Sequence, residues 1–104
     1  MSKLPLSILA LTCVLFAAGP AQAAGDAKAG ATKAEACMDC HGEDGKGDED
    51  NPSIAGMSAD KFAKAMQEYK AGTRTKSKQM TKAAQKLSAE DIADLAAHYA
   101  TLKP

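Results

Sequence analysis

Apolar and small residues recur at helical spacing in three stretches of this chain, and nowhere do they alternate with polar residues as they would along a half-buried strand. From Asp26 to about Cys40, the residues Ala27, Gly30, Ala31, Ala34 and Cys37 or Met38 share one narrow face. This spacing predicts a helix whose small-residue side lets another helix approach closely, with Lys28, Lys33 and Glu35 at exposed positions. A second helix is predicted over Ala59–Ala71, because Ser58 can cap it, Asp60 suits its first turn, Phe62, Met66 and Tyr69 fall on one side, and Gly72 stops it. The clearest signal is the last. Ser88 with Asp91 three residues on forms a capping box ahead of a stripe of Ile92, Leu95, Ala96, Tyr99 and Leu102, with Pro104 at its end. Gly42 to Ser53 is rich in glycine and charge and reads as a surface loop. Gly72, Thr73, Thr75 and Ser77 place a second loop around residues 72 to 80.

The first residues follow a different pattern. Lys3 precedes a mostly apolar run from Leu4 to Ala18, and Ala21-Gln22-Ala23 has the form of an export cleavage site, so residues 1–23 are expected to be a cleaved secretory signal and 24–104 the mature domain. The run is about 15 residues long and interrupted by Pro5, Ser7 and Thr12, short of the roughly 20 that span a bilayer. Stable membrane insertion after cleavage is therefore not expected. Cys13 follows Thr12 within the run, so it lacks a lipoprotein context and is discarded with the signal.

Without Lys3, 12 basic and 13 acidic side chains remain, a balance that argues against a nucleic-acid partner. The large aliphatic and Phe residues after position 24 are only Ile54, Phe62, Leu87, Ile92, Leu95 and Leu102, and there is no Trp. A domain of this size with so few large apolar side chains needs a staple such as a disulfide, a metal or a cofactor. The cysteines that remain, Cys37 and Cys40, are the place to look for one.

Cys37-Met38-Asp39-Cys40-His41 is the C-x-x-C-H signature of haem c attachment. Thiols three positions apart near a helix end point to one side, where each can form a thioether with a vinyl group of one porphyrin, and the adjacent imidazole of His41 is carried to the iron. Zinc would require four ligands, and beyond this motif only His98 is available. A thiol redox pair would sit in a βαβ setting that the sequence lacks. The acidic cluster Glu43, Asp44, Asp48, Glu49 and Asp50 lacks the ligand spacing of a calcium loop and reads as solvated.

The sixth iron position decides what such a haem does, since a thioether there favours electron transfer over oxygen chemistry. Met38 lies inside the attachment motif and cannot reach the opposite face. Met57 and Met66 read as core filler, although Met57 is the next choice. Met80 is the expected ligand, because a methionine in a polar, lysine-rich loop has no other evident reason to point inward. His98 is read instead as a partly exposed histidine on a helix surface.

With these residues in view, the chain resembles the small bacterial monohaem class I c-type cytochromes and is similar to the repeat unit of the dihaem periplasmic cytochromes. The resemblance runs through Gly25-Asp26-Ala27, Gly30, the attachment motif with Gly42, Pro52-Ser53-Ile54-Ala55-Gly56, Tyr69-Lys70-Ala71-Gly72-Thr73-Arg74, Met80 and Leu87 to Tyr99. It implies an all-α class I fold of about four helices around one covalently attached haem c. It further implies that Met80 is the axial methionine and that the Pro52 carbonyl accepts a hydrogen bond from the proximal imidazole. The resemblance also implies that the first and last helices cross, setting Gly30 and Ala34 against Leu95 and Tyr99. Met57 stands where that family commonly has a polar residue, and His98 where it commonly has an aromatic one.

The expected function is that of a periplasmic single-electron carrier, not an enzyme and without catalytic residues. Cys37 and Cys40 are its thioether anchors, His41 and Met80 its iron ligands, and redox proteins its partners. The alternative is a cytochrome subunit of a periplasmic sulfur-compound or organic-substrate dehydrogenase. Between Lys70 and Lys86 lie six basic residues and no acidic one, which would steer an acidic docking surface toward the haem edge if Met80 binds iron.

Overall fold

The computed structural model describes residues 25–104, so the expected signal segment, with Cys13, lies outside the described residues. Five helices follow one another: α1 (Ala27–Lys33), α2 (Glu35–His41), α3 (Ala59–Ala71), α4 (Lys78–Gln85) and α5 (Ala89–Ala100). Among the described residues there is no strand, and no helix is long and apolar enough to cross a membrane.

The stretch expected as one helix from Asp26 to Cys40 is two. Asp26 caps α1 by accepting the N–H groups of Lys28 and Ala29 at 2.9 and 3.2 Å. At Ala34 the ladder tightens: Ala34 N–H still reaches the Gly30 carbonyl at 2.8 Å, but Cys37 N–H returns only three residues, to Ala34 at 2.7 Å. No glycine or proline marks this break in the sequence, and its effect is to re-aim α2, which carries the motif.

α3 and α5 form where their patterns predict. Ser58 accepts from Lys61 N–H at 3.2 Å and starts α3, whose Phe62 and Met66 are buried. Ser88 and Asp91 exchange both bonds of the capping box at 3.0 and 2.9 Å, and Ile92, Leu95, Ala96 and Tyr99 of α5 are buried. α5 ends at Ala100 with Thr101 as its cap, so it stops short of Pro104, and the half-buried Leu102 lies beyond the helix. Burying side chains such as Phe62, Ile92 and Leu95 is worth about 1.5–3 kcal/mol each.

α4 corrects the sequence reading. The loop covers only residues 72–77, because Ser77 accepts the N–H of Met80 at 3.1 Å and caps a helix from Lys78. Met80 therefore sits in the first turn of a helix and not in a loop. Its inward positions are few: Met80 and Thr81 are half-buried and Ala84, one turn on, is fully buried, while Lys78, Lys82, Gln85 and Lys86 are exposed. A stripe that narrow, flanked by lysines, carries little helical signal.

The core is assembled where α1 crosses α5. Gly30 permits the crossing, since a Cβ there would lie 2.0 Å from the Asp94 carbonyl oxygen and 2.9 Å from the His98 Cβ. Ala34 joins Leu95 and Tyr99 in the buried cluster, as the resemblance implied, whereas the nearest neighbours of Gly30 are Asp94 and His98. Lys33 is not a free surface cation: its ammonium lies 2.8 Å from Asp91 Oδ1 and 2.6 Å from Asp94 Oδ2.

Candidate functional site

Cys37, Cys40 and His41 lie at i, i+3 and i+4 along α2, a spacing that sets them on one side of the helix. Cys37 is half-buried against the core cluster and Cys40 is exposed, and both are free thiols. They are not joined to each other, so both remain available for thioether formation. Burial pushes the Cys37 thiol above its ordinary pKa, and the neighbouring Tyr99 hydroxyl partly offsets that rise.

His41 is 7% exposed and ends α2. Its Nδ1 lies 2.9 Å from the Pro52 carbonyl oxygen. A carbonyl only accepts, so Nδ1 carries the proton and Nε2 keeps its lone pair, which is the tautomer a metal-ligating imidazole needs.

The acidic loop brings Pro52 to this position. Gly47 N–H donates to the His41 carbonyl at 2.8 Å, and Ile54 and Ala55 N–H both donate to the Gly45 carbonyl, at 2.7 and 3.0 Å. Asp48 Oδ1 accepts the N–H groups of Asp50 and Asn51 at 2.8 and 2.9 Å, tightening the turn just before Pro52. Those backbone donors hold the Asp48 carboxyl below the usual carboxylate range. At least this aspartate is used to fold the loop. No group of three or more His, Cys, Asp or Glu side chains among the described residues is arranged to hold a metal ion.

Met80 packs against the same buried cluster as Cys37, Met57 and Leu87. Met66 is core filler, 5% exposed, and Met57 is half-buried at the cluster's edge. His98 is half-buried rather than simply on the surface: its Nε2 is buried without a partner, and its ring meets Tyr99 edge-on with centroids 4.9 Å apart. The donor set fits a haem. There are two unpaired thiols on one helix, an adjacent imidazole in the ligating tautomer, and a methionine on a separate helix packed against the same cluster.

The structure also shows contacts that the sequence reading missed. Tyr99 entered that reading only as an apolar ring, yet its hydroxyl is buried without a hydrogen-bond partner, within the cluster against which Cys37 packs. Of the six cations between Lys70 and Lys86, two are committed internally. Lys70 donates to the Leu87 carbonyl, and Arg74 pairs with Glu68 at 2.8 Å and lies over the Tyr69 ring, 5.6 Å from its centroid. Lys76, Lys78, Lys82 and Lys86 are exposed.

Comparison with known proteins identifies the family. The family model described as Cytochrome c matches residues 27–103. The chain is 42% identical over 104 residues to cytochrome c4 of Pseudomonas aeruginosa, covering 99% of this chain and 50% of that protein. It is 43% identical over 81 residues to cytochrome c-554(548) of Halomonas halodenitrificans, covering 75% of this chain and 98% of that one. Among solved structures, cytochrome c4 of Acidithiobacillus ferrooxidans superposes with a TM-score of 0.72 at 27% identity, over 76% of this chain and 51% of that chain. The chain thus spans about half the length of the cytochrome c4 relatives that it matches. On its sequence and its all-helical fold alike, the chain belongs to the cytochrome c family, whose cofactor is covalently bound haem c.

Proposed function

We propose that the protein is an exported single-electron carrier of the periplasm. In this reading Cys37 and Cys40 would hold haem c through thioethers, and His41 and Met80 would ligate its iron. The observation that carries the proposal is the hydrogen bond from His41 Nδ1 to the Pro52 carbonyl at 2.9 Å, which leaves Nε2 free to ligate and fixes the plane of the ring. When bound, the haem supplies a reversible one-electron couple at its iron.

The protein's own residues set the conditions for that couple. Two thiols on one helix would retain the cofactor in a short chain, and its porphyrin would add to the core the apolar mass that the few large side chains lack. Ligands from α2 and α4, both anchored on one buried cluster, limit rearrangement between oxidation states. A thioether at the sixth position closes the iron to exchangeable ligands, which suits a carrier and not an oxygen-activating enzyme.

Partner recognition follows from charge. Lys76, Lys78, Lys82 and Lys86 are exposed on α4 and its flanks, the segment that carries Met80, so an acidic docking surface on a redox partner is the complementary shape. The test is the mature protein isolated from cells with a working haem-maturation system. The expected results are a mass gain of one haem that resists acidified organic solvent, and a reduced form that does not bind carbon monoxide at neutral pH. A colourless folded protein would overturn the haem assignment, and carbon monoxide binding would overturn Met80.

A further inference from the structure

Tyr99 is fully buried, with 0% of its surface exposed, and its ring is closely packed. Phe62 stacks on it with centroids 5.4 Å apart and planes 16° from parallel, while His98 meets its edge. Gly45 lies against it so closely that a Cβ there would come within 3.1 Å of the ring. The backbone is fixed as well, since the Tyr99 carbonyl accepts the Gly56 N–H at 2.9 Å. A ring so confined cannot swing its hydroxyl to water.

That hydroxyl has no hydrogen-bond partner. Leaving a buried donor unmade costs roughly 1–3 kcal/mol, and a phenylalanine would supply the same ring without that cost. Two polar groups share its surroundings: His98 Nε2, itself buried without a partner on the neighbouring residue of the same helix, and the sulfur of Cys37, half-buried against the same cluster from the attachment helix. The phenol and the thiol each shift the other's proton affinity, the phenol being held above its ordinary range by burial first and by the thiol second. A thioether sulfur keeps two lone pairs and remains an acceptor after the thiol proton has gone.

We propose that Tyr99 is a positioning residue of the haem site, its hydroxyl donating to the sulfur of Cys37 once that sulfur is a thioether. This rests on the reading that Cys37 is a haem anchor. The bond fixes the orientation of one thioether at the start of the attachment helix. It also points the positive end of an O–H dipole at the rim of the macrocycle, which favours the more electron-rich, reduced form.

The test is a cycle of Tyr99→Phe, Cys37→Ala and the double variant in the haem-loaded protein, read by the mass of attached haem and by reduction potential. Tyr99→Phe is expected to keep one covalent haem and to move the potential downward, and on the Cys37→Ala background the same change is expected to move it by less than half as much. No shift, an upward shift, or a shift undiminished on the Cys37→Ala background would overturn the proposal. Failure of the underlying reading looks different, because Cys37→Ala would then leave the covalent attachment of the parent protein unchanged. Should the Cys37→Ala proteins not mature, proton magnetic resonance of the reduced parent decides. A slowly exchanging Tyr99 hydroxyl proton close to the Cys37 β-protons supports the bond, and one that exchanges freely with water or lies near another acceptor overturns it.

Discussion

Asp94 Oδ2 lies 2.6 Å from the ammonium of Lys33, joining the last helix to the first. The other oxygen of the same carboxylate accepts the Asp26 N–H at 2.8 Å, so this side chain also secures the start of α1. Asp91 completes the clasp from one turn earlier.

The clasp gives stability a defined dependence on pH. Asp91 is lowered to about 2, chiefly by Lys33, and Asp94 is lowered by the Asp26 N–H first and by Lys33 second. For carboxylates held low in the folded state, the contribution is present above the unfolded pKa of about 3.9 and is lost as pH falls through the folded value. Stability is therefore expected to decline between about pH 4 and 2. In Asp94→Asn the thermal midpoint is expected to be lower at neutral pH, and the gap from the parent to narrow as the acid limb is descended, which thermal unfolding at stepped pH values measures. Lys33 is raised, so its share persists below its ordinary pKa of 10.5 and is lost only in stronger alkali.

Gly30→Ala is expected to destabilise the protein by about 1–3 kcal/mol or more, despite the better helix propensity of alanine. The new methyl would meet the Asp94 backbone, which cannot step aside as a flexible side chain would. Denaturant unfolding of the two proteins gives the difference directly.

Removing the cap of α5 is a gentler change. Ser88→Ala removes the acceptor for Asp91 N–H and is expected to cost about 1 kcal/mol, within the range for such caps. The midpoint of unfolding should move while the visible spectrum of the haem stays unchanged.

Met80→Ala tests the sixth ligand without touching the attachment motif. Loss of the thioether is expected to lower the reduction potential and let the reduced protein bind carbon monoxide, both read by spectroscopy. Met57→Ala is the control and should do neither.

Docking is tested by charge. Lys78→Glu or Lys82→Glu is expected to slow electron exchange with an acidic partner several-fold, and the parent's rate should fall as salt is added. Stopped-flow rates over a range of ionic strength are the readout; indifference to both would leave the lysines as a solvated face.

What could be read in advance was what lies close together in sequence. The attachment motif is five consecutive residues, and α3 and α5 each carry a serine cap followed by an apolar stripe. α4 was hidden because, of its eight residues, only Met80, Thr81 and Ala84 are withdrawn from solvent and only Met80 among them is a large apolar side chain, while its serine cap stands among other turn-forming residues. The break at Ala34 has no breaker residue. The acceptor at Pro52 is a carbonyl that every residue type carries, so only family likeness pointed to it. Tyr99 was legible for its ring and silent about its hydroxyl, since periodicity locates a side chain and says nothing of what its far end meets.

The imidazole of His41 and the carbonyl that orients it are only 11 residues apart, and the loop between them is tied by its own backbone bonds. Closing so short a span demands little chain entropy. The proximal half of the site is thus closed largely within one stretch of chain, and α5 completes it where Gly45 lies against the Tyr99 ring. The cysteines and the histidine come from one short helix, whereas the methionine is brought to them only by the tertiary fold. Partial loosening of the protein should accordingly release the methionine first and the histidine last.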